Sequence, residues 1–374
     1  MIKDFAKNII FELSSLHFNL MGKNINDKII IFESDDWGST RMTSKRAYQE
    51  LLEFGIPLYK SAYCKYDTLE SALDLSSLAE VLSAHKNVYG EHPKFTMNYV
   101  SANPDFQKIQ DSGRTAYFCE PFLETYKKSE PAVGAFKILK KGMQEGIFMP
   151  QFHGRDHVNV PLWLELLKTN DAFSKAFDYG IWGLSLDVLP EIKKSVQATY
   201  DSTDFEYTKN SIIEGLALFE EQFGFKSKSF IANNYVWDNN LSEVLNSLGV
   251  VHFQTMKYQI LPNRAREKRT LIRRTFGSTN SIGQTYAPRN CAFEPTEFGH
   301  NHLHTLKQIK RAFFYKKPAI ISTHRINFVG GLDIKKRDQN LLELDRLLRK
   351  ILKFWPDVKF VSSDQMHDII LKLK

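Results

Sequence analysis

From residue 28 onward the chain alternates short apolar runs with longer amphipathic stretches, a pattern that few architectures accommodate. The runs at 28–32 (KIIIF), 93–100 (PKFTMNYV), 146–152 (GIFMPQF), 227–232 (SKSFIA), 250–254 (VVHFQ), 318–322 (PAIIS) and 358–361 (VKFV) read as strands. They are short, mostly apolar and rich in β-branched and aromatic residues. Between them, the stretches 44–54, 67–85, 132–145, 207–223, 241–248, 303–315, 339–354 and 364–373 carry apolar residues at helical spacing. Strands of near-continuous apolar character suit a parallel sheet covered on both faces. The expected fold class is therefore α/β, a closed or nearly closed (β/α) barrel of about seven or eight parallel strands. A doubly wound open sheet is the alternative. The chain contains no Gly-x-Gly-x-x-Gly and no Walker loop, so the common nucleotide-binding fingerprints are missing.

The length of 374 residues allows two domains of about 150 residues or one large barrel with insertions. No repeat or low-complexity linker divides it. The expected organisation is an N-terminal helical segment over residues 1–27, packed on the body, and a single barrel domain over 28–374. In the first segment Phe5, Ile9, Leu13 and Leu16 fall at helical spacing, while Glu12 and His17 break any signal-like apolar stretch. Its polar face is not cationic, which favours packing over lying on a membrane. No run approaches the ~20 apolar residues of a membrane span. Lys+Arg number 50 and Asp+Glu 43, a net charge of +7. That mild excess admits an anionic substrate or peripheral membrane association and argues against nucleic acid as a partner. Cys64, Cys119 and Cys291 are too few and too scattered for a disulfide framework or a metal knuckle. They read as free thiols in a reducing, cytoplasmic compartment.

Four of the apolar runs end in polar clusters, at the strand ends where (β/α) barrels carry their chemistry. KIIIF leads into Glu33-Ser34-Asp35-Asp36-Trp37-Gly38, and GIFMPQF into His153-Gly154-Arg155-Asp156-His157. SKSFIA leads into Asn233-Asn234-Tyr235-Val236-Trp237, and PAIIS into Thr323-His324-Arg325. Adjacent carboxylates such as Asp35 and Asp36 repel unless a positive group lies between them, although an Asp-Asp pair also serves as a helix cap. A turn can aim both into one pocket, one to ligate a metal and the other to polarise water. His153 and His157 have the i, i+4 spacing of a two-histidine metal site. With a carboxylate they suit one divalent ion, zinc foremost, with cobalt, iron, nickel or manganese as alternatives. His324 at a strand end could move a proton near neutral pH.

Two other clusters have plainer readings. The stretch from Gly299 to His304 (GHNHLH) precedes a helix and reads as polarity at a helix N-terminus. Arg264, Arg266, Lys268, Arg269, Arg273 and Arg274 read as a solvated loop and hairpin, with a phosphate or anionic-glycan contact as the sharper possibility. Arg289, Asn290 and Glu294 occupy a polar loop in which an arginine could orient a carboxylate.

Together the four clusters resemble the motifs of the polysaccharide deacetylase, or NodB-homology, superfamily over roughly residues 28–362. Glu33-Ser34-Asp35-Asp36-Trp37-Gly38 resembles its Thr-Phe-Asp-Asp-Gly, with one extra residue before the glycine. His153-Gly154-Arg155-Asp156-His157 keeps the histidine spacing of its His-Ser/Thr-x-x-His. Ala232-Asn233-Asn234-Tyr235 keeps only the tyrosine of Arg-x-Pro-Tyr, and the run ending at His324 is similar to Leu-x-Leu-His. The resemblance implies a distorted (β/α) barrel. It also implies a metal held by Asp36, His153 and His157, with Asp35 as general base and His324 as general acid. The backbone amide of Tyr235 would help to hold the oxyanion. The reaction implied is metal-dependent removal of an N-acetyl group from an amino-sugar-containing saccharide or glycoconjugate.

The arginine of the third motif is missing, and Arg155, Arg289 or Arg325 could replace it. Trp37, Tyr235, Trp237 and Trp163 could stack on sugar faces, Trp163 equally well being core. Three alternatives stay open: a metal-dependent hydrolase of another non-peptide amide, a catalytically silent carbohydrate-binding barrel, and a metal-free glycosidase using Asp35 with Glu33 or Glu294.

Overall fold

The computed structural model describes residues 19–202, 204–262 and 269–373. Most of the expected N-terminal helix, together with Arg264, Arg266 and Lys268, lies outside the described residues. Residues 22–25 pack on the body: the Lys23 amide donates to Phe276, the Ile25 amide to Lys316, and Lys317 Nζ donates to the carbonyls of Gly22 and Lys23.

The described strands are β1 (Ile29–Trp37), β2 (Phe95–Tyr99), β3 (Ala102–Pro104), β4 (Cys119–Pro121), β5 (Phe148–Phe152), β6 (Ser229–Phe230), β7 (His252–Thr255), β8 (Tyr258–Ile260), β9 (Leu271–Arg273), β10 (Thr285–Pro288), β11 (Cys291–Ala292), β12 (Ala319–His324) and β13 (Lys359–Phe360). Nine of them form one sheet in the order β10-β7-β6-β5-β2-β1-β12-β11, with β13 paired to the start of β1. All of its pairings are parallel. The fold is thus a curled parallel sheet with helices, the α/β class expected. All seven predicted strands are present in this sheet, to which β10 and β11 are added; β3–β4 and β8–β9 form two separate pairs. β10 and β11 are short and carry Pro288 and Cys291 rather than a branched apolar run. Helices Val160–Thr169 and Asp171–Phe177 also lie where the sequence predicted no element.

β10 and β11 lie at opposite ends of the sheet order and are not hydrogen-bonded to each other, yet only Arg289 and Asn290 separate them. Two intervening residues span at most about 11 Å, so the sheet edges must come close together. The Arg289 amide donates to Thr255 beside one edge, and the Asn290 amide to Ile320 on the other. The barrel is closed covalently at this seam rather than by a ladder. Arg289 sits on it.

Side chains alternate along β1 as a strand requires. Ile30 and Phe32 join the large core under the helices, with Phe95, Met97, Phe148, Leu344 and Leu348. Ile29 and Ile31 point the other way, with Ala287, Ile320, Val361 and Met366, and plug the bottom of the barrel. Glu33 and Asp35 continue that inner face, so the interior changes from apolar to polar towards the strand ends. Here Asn98 Nδ2 donates to Asp35 Oδ1 and to Gln254 Oε1, both at 2.7 Å. Gln254 Nε2 donates to Ser229 Oγ, and Ser229 Oγ to Gln151 Oε1, at 2.9 Å each. Buried polar groups on five strands are thereby satisfied, and the floor of the cavity above them is fixed.

Candidate metal centre and active site

Asp36 reaches the cavity through a break in β1. The register against β2 shifts between Ser34 and Trp37, and Asp36 takes a left-handed conformation at φ 75°. This slip lets two consecutive aspartates face one cavity. It also turns Trp37 outward into the main core, where its indole N–H donates to Ser34 Oγ at 2.9 Å.

Asp36 Oδ1 lies 3.1 Å from His157 Nε2 and 3.6 Å from His153 Nε2. All three residues are buried, and their ligand atoms lie within 4.8 Å of one another. His153 Nδ1 is 3.0 Å from the Ile231 carbonyl, which can only accept. Nδ1 therefore carries a proton, and Nε2 is the ring nitrogen that faces Asp36. Asn233 Nδ2 reaches that nitrogen at 3.2 Å and the His153 carbonyl at 3.1 Å. Burial pushes His157 down to about 4 against the pull of Asp36, so its imidazole is neutral. Burial works against the Asp36 carboxylate too, but Arg41 and both histidines outweigh it and hold its pKa well below the ordinary range. Two imidazoles and one carboxylate converging on a common point are the donor set that a divalent cation takes. The residues fit such an ion.

The loop carrying the histidines leaves no room for a larger residue at Gly154. Its φ is 104°, and a Cβ there would lie 2.8 Å from the Tyr200 hydroxyl and 3.0 Å from Asn233 Oδ1. This accounts for glycine where the resembling motif has Ser or Thr. Arg155, one of the three candidates for the missing arginine, braces the loop from behind. Its Nε donates to Asp156 Oδ2 at 2.8 Å and its Nη1 to Glu214 at 2.7 Å.

Asp35 is gripped by Arg289, whose Nη1 and Nη2 donate to Oδ2 and Oδ1 at 2.7 Å each. Arg289 Nε donates to Glu33 Oε2, also at 2.7 Å. Burial raises both carboxyl pKa values. For Asp35 the two-pronged contact with Arg289 outweighs burial and lowers it, whereas for Glu33 burial prevails and raises it. One guanidinium thus separates two carboxyl groups by protonation tendency. Of the three arginines considered for the missing position, Arg289 is the one beside Asp35. Arg155 binds Asp156, and Arg325 is buried against Asp67 and Glu70.

His324 Nε2 lies 3.7 Å from Asp35 Oδ2, and its Nδ1 is hydrogen-bonded to Glu294 Oε1 at 2.6 Å. Burial alone would lower its pKa; Glu294 first, then Asp35 and Asp36, lift it to about 10. Asn327 Nδ2 fixes the other Glu294 oxygen at 2.7 Å.

The Tyr235 amide donates to the Ala232 carbonyl at 2.9 Å, so it is committed within its own turn rather than offered to an oxyanion. Its hydroxyl instead accepts from Arg289 Nη1 at 3.2 Å. Burial is the main cause of a phenol pKa raised to about 12.

Asp35, Asp36, His153, His157, Tyr235, Arg289, Glu294 and His324 line one cavity of about 540 Å³. Trp37, Trp237 and Arg155 do not line it. Trp237 is buried and stacks on Phe253 with ring centroids 5.8 Å apart. Trp163 is buried in a separate core cluster. Arg41 and Tyr63 line the cavity without having been singled out in the sequence. Buried Arg41 lies 3.4 Å from both Asp36 and Asp67, and the Tyr63 ring meets His324 edge-on at 5.7 Å. Neither sits in a motif; only tertiary packing brings them in. In the histidine-rich stretch, Asn301 caps helix His302–Phe314 as the plain reading expects, but His300 reaches the cavity. The later part of the basic stretch runs through β9, which pairs with the preceding β8 as a hairpin. Within it Arg274 donates to Gln259 Oε1 through Nε at 3.0 Å.

No protein-family model matches the chain, and no curated protein matches its sequence. Among solved structures it is similar to a probable polysaccharide deacetylase from Pseudomonas aeruginosa PAO1, at 10% identity and a TM-score of 0.44, over 92% of this chain and 90% of that one. Similarity to PuuE allantoinase is also at 10% identity, with a TM-score of 0.43 over 94% and 92% of the two chains. A 4-alpha-glucanotransferase from Thermococcus litoralis matches at 10% identity and a TM-score of 0.44. That match covers 93% of this chain, which spans 40% of the glucanotransferase. Among the described residues no helix is long and apolar enough to cross a membrane.

Proposed function

We propose that this chain is a metal-dependent hydrolase of the polysaccharide deacetylase type, which removes an N-acetyl group from an amino-sugar-containing saccharide or glycoconjugate. One observation carries the reading. An arginine-bound Asp35 and a glutamate-bound His324 meet at 3.7 Å in the cavity that also holds the Asp36, His153 and His157 cluster. Those three residues would hold the ion, which when bound polarises an amide carbonyl and lowers the pKa of a water. Asp35, kept ionised by Arg289, accepts the proton of the attacking water. The Tyr235 hydroxyl accepts from Arg289, so its own proton is free to be donated to the carbonyl oxygen as that atom gains charge. His324 is protonated at neutral pH and donates from Nε2 to the departing nitrogen, while Glu294 fixes the ring and stabilises its charge. Acetate and a free amine are the products. A saccharide partner and a cytoplasmic location belong to the same proposal.

The test is elemental analysis of wild type beside Asp36→Ala and His153→Ala, followed by an assay for acetate release from N-acetylated sugars. Near-stoichiometric metal in wild type alone, with acetate release, is the expected result. A wild type that takes up no divalent ion on addition would overturn the proposal.

A further inference from the structure

An aromatic surface on the general-acid side of the cavity takes no part in the reaction steps above. Residues 294–300 turn back on Glu294, and the amides of Phe298 and His300 donate to its carbonyl oxygen at 3.1 and 3.2 Å. The carboxylate of the same Glu294 holds His324. Loop and general acid therefore share one anchor. Phe298 lines the cavity, yet 61% of its surface is exposed. Behind it His300 sits with ring centroids 5.5 Å apart and planes 38° apart. His300 in turn lies flat on His304, centroids 3.9 Å apart and 4° from parallel. Burial, and then His304, lower the His300 pKa, so the ring in contact with Phe298 is neutral at neutral pH. An exposed Phe braced by two stacked imidazoles is a firm apolar face at the mouth of a polar cavity.

A pyranose ring has a complementary form: one or both faces are lined by C–H groups, and the rim carries hydroxyls. Burying such a face on an aromatic ring removes apolar surface from water and orders the sugar without demanding a charge. The position is equally specific. His324 protonates the departing nitrogen, so whatever that nitrogen is attached to lies on the His324 side, where Phe298 is tethered. We propose that Phe298, backed by His300 and His304, is the stacking platform for the sugar ring that carries the departing amine. This rests on the deacetylase reading and deepens it, assigning the amine side of the substrate to a pyranose rather than to a small linear or cyclic amide.

Two measurements on the same metal-loaded preparations test it. Chitobiose, the free-amine disaccharide, is titrated calorimetrically into wild type, Phe298→Ala and Phe298→Tyr, and acetate release from N,N′-diacetylchitobiose is followed in parallel. Phe298 is exposed and its loop is held by backbone bonds, so unchanged circular dichroism and thermal midpoint are expected for both variants. Wild type should bind chitobiose, Phe298→Ala about tenfold more weakly, and Phe298→Tyr close to wild type. KM for the acetylated disaccharide should rise in Phe298→Ala in the same proportion. Equal affinity of wild type and Phe298→Ala for chitobiose, or no binding by wild type at millimolar sugar, would overturn the platform. Phe298-dependent binding without any acetate release would support a sugar site while removing the deacetylase reading. Acetate release with an unchanged KM in Phe298→Ala would do the reverse.

Discussion

In the proposed reaction His324 gives up a proton at neutral pH, so it has to be held charged until then, and Glu294 is placed to do this. Burial disfavours the imidazolium, and the 2.6 Å contact with Glu294 is the largest effect opposing it, leaving a pKa of about 10. Asp35 is shifted the other way, below the ordinary carboxylate range, by Arg289. The signs fix the pH profile. The base is active above its lowered pKa and the acid below its raised one, so kcat/KM should be level through neutrality and fall only as pH climbs towards about 10. In Glu294→Gln the largest opposing charge is gone, and only Asp35 and Asp36 still favour the imidazolium. The alkaline fall should then move down from about 10 towards the free-histidine pKa of about 6.5, with activity near pH 6 less affected than at pH 8. A pH–rate profile whose alkaline limb stays put in Glu294→Gln would rule out His324 as the group being held. Asp35, Asp36, His153, His157 and His324 could be picked from sequence because each follows an apolar run, a local signal. Arg289 could not be chosen over Arg155 and Arg325. What selects it is the seam where the sheet edges meet, and no local pattern records which arginine stands there.

At the scale of the element, the decisive feature is the end of β1. Strict alternation would aim Glu33, Asp35 and Trp37 inward and Asp36 outward. The slip between Ser34 and Trp37 reverses the last two, bringing Asp36 in and sending Trp37 to the core. A tryptophan beside two aspartates therefore reads as a substrate contact from sequence, but in the fold it is an anchor that helps to hold the slip. The seven strands legible from sequence share apolar, β-branched or aromatic runs. β10 and β11 lack them, since their place is set by the partners β7 and β12 rather than by their own residues. The loop after β5 makes a parallel case for backbone geometry. Gly154 at φ 104° has the Tyr200 hydroxyl and Asn233 Oδ1 where a side chain would go. Gly154→Ala should cost about 1–3 kcal/mol of stability from the left-handed backbone alone. Because Asn233 contacts His153, the shift should also carry that imidazole off its position and weaken metal affinity by about 10–100-fold. Competition against a chromophoric chelator measures the second effect and urea unfolding the first. Unchanged metal affinity in a destabilised Gly154→Ala would mean that the loop positions neither histidine.

Across the whole molecule, the candidate metal cluster joins the ends of β1 and β5, which are neighbours only through β2 in the sheet order. Asp36 lies near the end of β1, and His153 and His157 follow β5, so the site exists only when the curled sheet is formed. An ion bound there must therefore favour the folded chain, because the unfolded chain offers the same groups without their convergence. With free ion at a hundred times its dissociation constant the stabilisation is about 2.7 kcal/mol. Removing the ion should lower the urea midpoint of wild type by the equivalent amount. His157→Ala supplies the contrast. It loses one of three ligands and a ring that packs against Trp182 at 5.8 Å, so it should be less stable than wild type in the loaded state. Yet it should show little further loss when the ion is withdrawn. The informative quantity is thus the difference between loaded and chelated midpoints, not either midpoint alone. A difference as large in His157→Ala as in wild type would place any bound ion elsewhere on the protein. A difference confined to wild type would tie the ion to the junction of β1 and β5.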